Sequence, residues 1–174
     1  GKIYFLLGKS GAGKSTFLEA LGLMNNTATE NSSVWYNGQN ILELWKEGKN
    51  HLSDFRSNNY AFIFQNTNLM PGYSAGENMC FGAMINGKGI SVVKPLVIRA
   101  MDKIELDKKV FDKRISHLSG GQRQRLAYVR AVTAKFEVLF GDEPTGNLDK
   151  IISHKLMNYL SSEIKEKSKI AIIV

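Results

Sequence analysis

Gly8-Lys9-Ser10-Gly11-Ala12-Gly13-Lys14-Ser15 is the stretch of the 174-residue chain that decides its fold. It stands between a short apolar run rich in strand formers, residues 2–7, and a segment with helical spacing of apolar residues, 14–23. In a strand, glycine-rich turn and helix, successive backbone N–H groups converge on an anion, and the helix adds its positive N-terminal end. The pattern of Gly, four residues, Gly, Lys and Ser therefore predicts a phosphate-binding loop.

Two side chains of this loop have definite tasks in such a site. Lys14 is expected to reach the β- and γ-phosphates of a nucleotide, which also makes it a catalytic candidate, and Ser15 is expected to offer its hydroxyl to Mg²⁺. The predicted nucleotide contacts in this region are Gly8, Ser10, Gly11, Ala12, Gly13, Lys14, Ser15 and Thr16.

Two adjacent carboxylates, Asp142 and Glu143, follow the apolar run 136–140. An Asp at the end of a buried strand holds Mg²⁺ in phosphate-loop ATPases, so Asp142 is the predicted metal residue. Glu143 is placed to act as general base on the attacking water. The alternative reading is that both residues cap the next helix.

Gln65 ends another short apolar run, residues 60–64. A neutral side chain at this point can bind Mg²⁺ and the attacking water without adding negative charge, so Gln65 is both a metal and a catalytic candidate. A glutamine taken by itself is more often plain polar surface.

A second glycine-containing helix start is predicted at Leu118-Ser119-Gly120-Gly121-Gln122. Bare backbone N–H groups and the Ser119 hydroxyl make it an anion-binding candidate, with Ser119, Gly120, Gly121 and Gln122 as contacts. An ordinary helix N-cap is the alternative.

The order of patterns indicates an α/β fold. We predict a phosphate-loop core with a mostly parallel sheet, a small antiparallel β portion and an inserted α-helical subdomain. Asn37-Gly38 predicts a hairpin within residues 34–41. The whole chain, 1–174, is expected to be a single domain, with 1–65 and 130–174 as the core and 66–129 as the helical subdomain. Strands are predicted at 2–7, 60–64, 136–140 and 169–174, and helices at 14–23, 77–85, 92–104, 122–134 and 151–164.

Composition excludes some classes of protein. The single cysteine, Cys80, cannot form a disulfide within the chain, and the apolar stretches are far shorter than the roughly 20 residues that span a bilayer. The net charge of +7 is spread over dispersed Lys and Arg residues, Arg130 among them, so we interpret most of these residues as solvated faces. With no signal peptide pattern, a cytosolic protein is expected.

Residues 118–122 resemble the signature of ATP-binding cassette (ABC) ATPases. Residues 8–16, Gln65, 142–143 and 148–149 are similar to the other motifs of that family, in the same order. The stretch 142–149 resembles the branch that includes lipoprotein-release, macrolide-export and cell-division cassettes. Residues 69–79 are similar to the region that meets the membrane subunits in that branch.

The resemblance implies an ATP-hydrolysing transporter subunit on the inner face of the cell membrane, with ATP and Mg²⁺ as cofactors. In that family the domains form head-to-tail pairs, so Ser119, Gly120 and Gly121 are expected to touch nucleotide bound to a partner copy. Asp149 is expected on the segment that links the two sites, transmembrane permease subunits are expected as partners, and nucleic acid is not.

Two features of the family have no counterpart in these residues. Only seven residues precede Gly8, so the adenine-stacking aromatic residue is missing, and Tyr4 and Phe5 are interpreted as core. The family's catalytic His would follow residue 174, and His51, His117 and His154 are interpreted as ordinary histidines. The chain is therefore expected to be cut short at both ends, and by itself to bind nucleotide weakly and hydrolyse it poorly.

Two other functions are compatible with the same motifs. A soluble ABC ATPase of DNA repair or translation would share the ATPase site, although the paired cassettes, coiled coils and zinc motifs of such proteins do not appear here. A regulatory cassette that binds ATP without cleaving it is disfavoured by the presence of Lys14, Asp142 and Glu143.

Overall fold

A parallel β-sheet forms the centre of the computed structural model, which describes residues 1–29, 31–146 and 148–174. Its strands are β1 (Lys2–Phe5), β4 (Tyr60–Ile63), β5 (Val138–Gly141) and β6 (Ile170–Ile173). Their order across the sheet is β1-β6-β5-β4, and every neighbouring pair is parallel. Parallel strands need crossover connections, and helices supply them here. The predicted α/β fold with a mostly parallel sheet is confirmed.

The small antiparallel portion is a hairpin of β2 (Trp35–Tyr36) and β3 (Gln39–Asn40). Asn37 and Gly38 form its turn with φ angles of 48° and 81°. Two consecutive positive φ angles are what a tight two-residue hairpin turn requires. The predicted hairpin is therefore confirmed.

The helices include all those predicted, with shifts of a few residues at their ends. A group of three lies between β4 and β5, and within it α6 packs against α4, α5 and strand β4. The helix α6 continues through residue 129, where the sequence patterns place the end of the helical subdomain, so that division stays a prediction. The helices are α1 (Lys14–Leu21), α2 (Leu44–Glu47), α3 (Lys49–Asn59), α4 (Ala75–Ile85), α5 (Ile90–Lys103), α6 (Gly120–Thr133) and α7 (Lys150–Glu166).

The helices α2 and α3 have no counterpart among the predicted elements. The sequence of α3, KNHLSDFRSNN, is mostly polar, and Leu52 is its one fully buried side chain. Leu52 packs in a second core cluster with residues of β4 and β5, including Tyr60 and Phe140. Two apolar positions in eleven residues give too weak a period to indicate a helix, and tertiary packing stabilises it instead.

The prediction that Tyr4 and Phe5 belong to the core is wrong. Their side chains are 50% and 58% exposed. The physical reason is what covers the faces of the sheet, because β4, which is also an edge strand, is buried under α3 and α6, whereas α7 is the helix that packs against β1. A short apolar strand has the same sequence pattern whether or not other elements cover its faces.

None of the helices in the described part of the chain combines the length and the apolar character that a membrane span needs.

Candidate functional site

The phosphate loop leaves the end of β1 and turns into α1, as predicted. Gly11 and Gly13 have φ angles of 77° and 80°, and a side chain at either position would meet no neighbouring atom. The backbone conformation, and not crowding, therefore requires glycine. The Lys14 ammonium donates to the carbonyls of Gly8 and Lys9, both at 3.0 Å, which keeps it at the centre of the loop.

Ser15 and Asp142 are brought together although 127 residues separate them in sequence. The Ser15 hydroxyl donates to Asp142 Oδ1 at 3.0 Å. Asp142 follows β5, and the carboxyl ends of parallel strands meet at one edge of the sheet. Its amide donates to the Ile63 carbonyl at 2.9 Å, which fixes the end of β5 against the end of β4.

These two oxygens fit a magnesium ion. Mg²⁺ prefers oxygen ligands at about 2.1 Å in octahedral geometry, in which neighbouring ligand oxygens lie about 3 Å apart. The described residues hold no group of three or more His, Cys, Asp or Glu that could bind a metal by itself. A site with one hydroxyl and one carboxylate suits an ion that takes its remaining ligands from phosphate and water.

Gln65 and Glu143 also meet at this edge. The Gln65 amide Nε2 donates to Glu143 Oε2 at 2.9 Å, across 78 residues of sequence. Glu143 is exposed and has a φ of 45°, which is uncommon for a residue other than glycine. The Glu143 amide donates to the Val174 carbonyl at 3.2 Å, and its own carbonyl accepts from the Gly146 amide at 3.1 Å. Backbone strain of this kind is frequent at active sites.

Ser119 caps the N-terminus of α6 through a reciprocal pair of hydrogen bonds. Its hydroxyl accepts from the Gln122 amide at 3.2 Å, and the Gln122 side chain accepts from the Ser119 amide at 3.0 Å. A side chain at Gly120 would meet nothing within 4 Å. Among the described residues, no hydrogen bond joins this segment to the phosphate loop of the same chain. The N-cap interpretation and the anion-site interpretation are thus compatible, since Ser119 and Gly120 at the start of α6 are exposed.

Two residues of α6, Gln124 and Arg130, contact the loops that follow Glu143 and Gln65. The sequence patterns did not assign either of them to the site. The Arg130 guanidinium donates to the carbonyls of Thr67 and Asn68, both at 2.7 Å. Burial lowers the pKa of Arg130. The buried Gln124 amide donates to the Pro144 carbonyl at 3.0 Å, beside Glu143. Arg130 is thus not among the basic residues that are simply solvated, because its guanidinium lies against the loop after Gln65.

The remaining candidates lie as follows. His51, His117 and His154 are exposed. Asp149 caps α7 by accepting from the Ile152 amide at 3.0 Å. Asn147, which belongs to the stretch 142–149, lies outside the described residues.

The arrangement of strand, phosphate loop and helix, with Asp142 and Glu143 after β5 at the same edge of the sheet, defines a phosphate-loop ATPase site. The ABC transporter family model matches residues 1–146. By this match the chain belongs to the ABC transporter family.

Relatives and solved structures agree with this assignment. The lipoprotein-releasing system ATP-binding protein LolD of Bdellovibrio bacteriovorus is 33% identical over 175 residues, covering 100% of this chain and 76% of LolD. The macrolide export ATP-binding/permease protein MacB of Hyphomonas neptunium is 36% identical over 160 residues, covering 92% of this chain and 24% of MacB. The ATP-binding cassette MJ0796, solved as a dimer in a post-hydrolysis state with ADP and Pi, has a TM-score of 0.86 and 26% identity, covering 99% of this chain and 73% of that one.

The resemblance to ABC ATPases is therefore confirmed, as is the branch suggested by residues 142–149, which the lipoprotein-release and macrolide-export relatives represent. The prediction of an ABC-type ATP hydrolase is confirmed at the level of the family.

Proposed function

We propose that this chain is the ATP-binding subunit of an ABC transporter, and that Mg-ATP-dependent dimerisation and hydrolysis drive transport. The observation that carries the proposal is the convergence of two pairs of side chains, Ser15 with Asp142 and Gln65 with Glu143, beside the phosphate loop. Four residues from three separate parts of the sequence meet where a bound triphosphate would end. If all four side chains only stabilised the fold, they would not need to lie together at this one place.

The chemistry would be in-line attack of water on the γ-phosphate. The loop amides and Lys14 would hold the phosphates, and Ser15 and Asp142 would hold Mg²⁺, which neutralises charge on them. Glu143 would accept a proton from the attacking water, and Gln65, within hydrogen-bonding distance of Glu143, would orient that water. Since phosphoryl transfer asks little covalent chemistry of the protein, positioning and charge neutralisation would supply most of the rate.

The second half of the nucleotide site would come from a partner copy. Support comes from the exposed first turn of α6, whose Gly120 and Gly121 leave their backbone accessible. The dimeric form in which MJ0796 was solved also supports a pair of cassettes. We propose a head-to-tail pair in which Ser119, Gly120, Gly121 and Gln122 of one copy face nucleotide held by Lys14 of the other.

Steady-state phosphate release from ATP by the intact protein tests this function. We expect hydrolysis that requires Mg²⁺ and stops when EDTA is added, because the oxygens of Ser15 and Asp142 suit that ion. ATP binding without phosphate release would identify a regulatory cassette and contradict the proposal. Hydrolysis stimulated by DNA or RNA, with an affinity that falls steeply with salt, would instead favour a nucleic-acid-linked ATPase.

A permease subunit is the proposed partner at an apolar groove between α3, α4 and the segment after Gln65. The groove has a volume of about 450 Å³. Its floor near residue 70 is held by Asn78, which is fully buried and exchanges hydrogen bonds with the Met70 backbone at 2.8 and 3.0 Å. Apolar residues beside it, Phe64, Met70, Phe81 and Ile85, suit a helix or loop of a membrane protein.

Met70, which lines this groove, belongs to residues 69–79, the region whose sequence is similar to the membrane-contacting part of the branch. Docking there would place the chain at the inner face of the cell membrane, on the cytoplasmic side. The LolD and MacB names support this location, since one is an ATP-binding protein of a releasing system and the other an ATP-binding/permease protein.

Replacing Ile85 with arginine should release the protein from the membrane fraction of its native cells. Ile85 lies on the groove and is 56% exposed, so the variant should fold, but a docked partner would bury the new charge without a counter-ion. We expect the membrane-bound fraction to fall roughly tenfold or more while ATP hydrolysis by the isolated protein is unchanged.

The matched control is Val92→Arg on α5, because Val92 is 71% exposed and does not line the groove. Equal loss of membrane association in the two variants would argue against the groove as the docking surface. If Ile85→Arg retained its membrane association, that result would also argue against the groove as the docking surface.

A further inference from the structure

The guanidinium of Arg130 forms a clamp on the backbone that follows Gln65. Its two terminal nitrogens donate to two consecutive carbonyls, Nη2 to Thr67 and Nη1 to Asn68, each at 2.7 Å. The planar fork of arginine fits two neighbouring acceptors better than any other side chain does. Because the guanidinium is partly buried, these bonds act at a lower dielectric than surface contacts do.

The clamped backbone is itself in an unfavourable conformation. Thr67 and Asn68 have φ angles of 54° and 45°. Left-handed backbone is especially uncommon for a β-branched residue such as threonine, and two such residues in succession need surrounding structure to hold them. Two turn bonds are present, from the Thr67 amide to the Phe64 carbonyl at 3.0 Å and from the Asn68 amide to the Asn66 carbonyl at 2.5 Å, but neither involves the carbonyls of Thr67 and Asn68. Arg130 supplies the remaining constraint on the two carbonyls.

The position of this turn determines where Gln65 lies. Gln65 is anchored on one side by β4, which ends at Ile63, and on the other by the turn at Thr67 and Asn68. Its amide donates to Glu143 at 2.9 Å. A shift of about 1 Å in the turn would break that bond and misplace the amide, and misplacement on this scale costs on the order of 100-fold in rate.

We infer that Arg130 is a positioning residue for ATP hydrolysis, which holds Gln65 against Glu143 through the carbonyls of Thr67 and Asn68. This inference rests on the proposed function, since it assigns a further residue to the same reaction. It also gives α6 a second task besides carrying the Ser119 segment at its N-terminus. Arg130 itself touches neither the phosphate loop nor Asp142 by any hydrogen bond within the described residues.

The first part of the test compares Arg130→Met and Arg130→Lys with the wild-type intact protein. Methionine keeps much of the volume but removes all donors, so kcat should fall about 10- to 100-fold while KM for ATP stays within about twofold. Lysine retains a donor and should recover part of kcat. Arg56→Met is the control, because Arg56 is likewise a partly buried arginine that donates to a backbone carbonyl, that of Leu23 at 2.8 Å, away from Gln65.

The second part separates positioning of Gln65 from a general effect on folding. In a Gln65→Ala background the amide that Arg130 positions is gone, so adding Arg130→Met should lower kcat by less than about twofold. Thermal unfolding measurements identify any variant that does not fold. If Arg130→Met does not fold, Arg130→Lys takes its place in the comparison with Gln65→Ala. Additive losses in the double variant, or an unchanged kcat in Arg130→Met, would overturn the inference. Failure of the wild-type protein to release phosphate would instead reject the proposed function.

Discussion

Glu143→Gln should bind ATP as tightly as the wild-type protein and hydrolyse it about a thousandfold more slowly, since a general base contributes roughly 10² to 10⁴ in rate. The structure explains why this substitution should slow hydrolysis without weakening ATP binding. Glu143 is exposed, and the hydrogen bonds that fix its backbone come from its amide and carbonyl, which the substitution leaves unchanged. Glutamine can also still accept the bond that Gln65 donates to the Glu143 side chain. The fold and the phosphate loop should therefore persist while the proton acceptor is lost.

Two measurements check this result: equilibrium binding of ATP and single-turnover phosphate release. Glu19→Gln is a suitable control, because Glu19 is an exposed carboxylate on α1 that accepts from Asn25 at 2.9 Å. Hydrolysis undiminished in Glu143→Gln would remove Glu143 from the role of base. Equal loss in both variants would show that the substitution acts through the fold.

Lys14→Met should abolish tight ATP binding, with an affinity on the order of 100-fold lower. The Lys14 ammonium lies at the loop centre, held by two carbonyls at 3.0 Å, where it would donate to phosphate oxygens. A hydrogen bond to a charged group is worth about 1.5 to 3 kcal/mol, and each 1.4 kcal/mol is a tenfold change in affinity. Titration of the protein with a fluorescent ATP analogue measures the change.

Loss of one positive charge anywhere on this basic protein could weaken ATP binding slightly. Lys46→Met on α2 provides the comparison, since Lys46 is exposed and lies outside the phosphate loop. An affinity in Lys14→Met equal to that of Lys46→Met would show that Lys14 does not contact the phosphates.

Sequence patterns predict the part of the site that depends on local structure. The phosphate loop, the carboxylates after β5 and the glutamine after β4 each lie at a strand end, and parallel strands bring their carboxyl ends to one edge. The contacts between Ser15 and Asp142, and between Gln65 and Glu143, follow from that topology once the strands are correctly placed. Their individual roles in binding and catalysis stay predictions.

Other features depend on tertiary packing that no local pattern contains. Arg130 has the same sequence context as a solvated arginine on an amphipathic helix, and only the burial of α6 against α4 and β4 turns it toward the Gln65 loop. The exposure of Tyr4 and Phe5 likewise depends on which helices cover the faces of β1. For α3, packing of Leu52 against the second core cluster decides the conformation of a mostly polar segment.

The proposed two-chain nucleotide site can be tested directly by crosslinking. Two single variants, Ala12→Cys in the phosphate loop and Ser119→Cys at the start of α6, are mixed in the Glu143→Gln background. The thiol of Cys80 should not react with the crosslinker, because Cys80 is fully buried and burial also raises the pKa of its thiol. The chain without added cysteines is the control for that assumption.

If one copy's phosphate loop faces the partner's Ser119 segment across ATP, a short bis-maleimide linker should join the two variants only when they are mixed and only with Mg-ATP. Each variant alone should give no crosslinked dimer. Crosslinking that does not depend on nucleotide, or a crosslink formed within one chain when both cysteines are placed in it, would contradict the head-to-tail site.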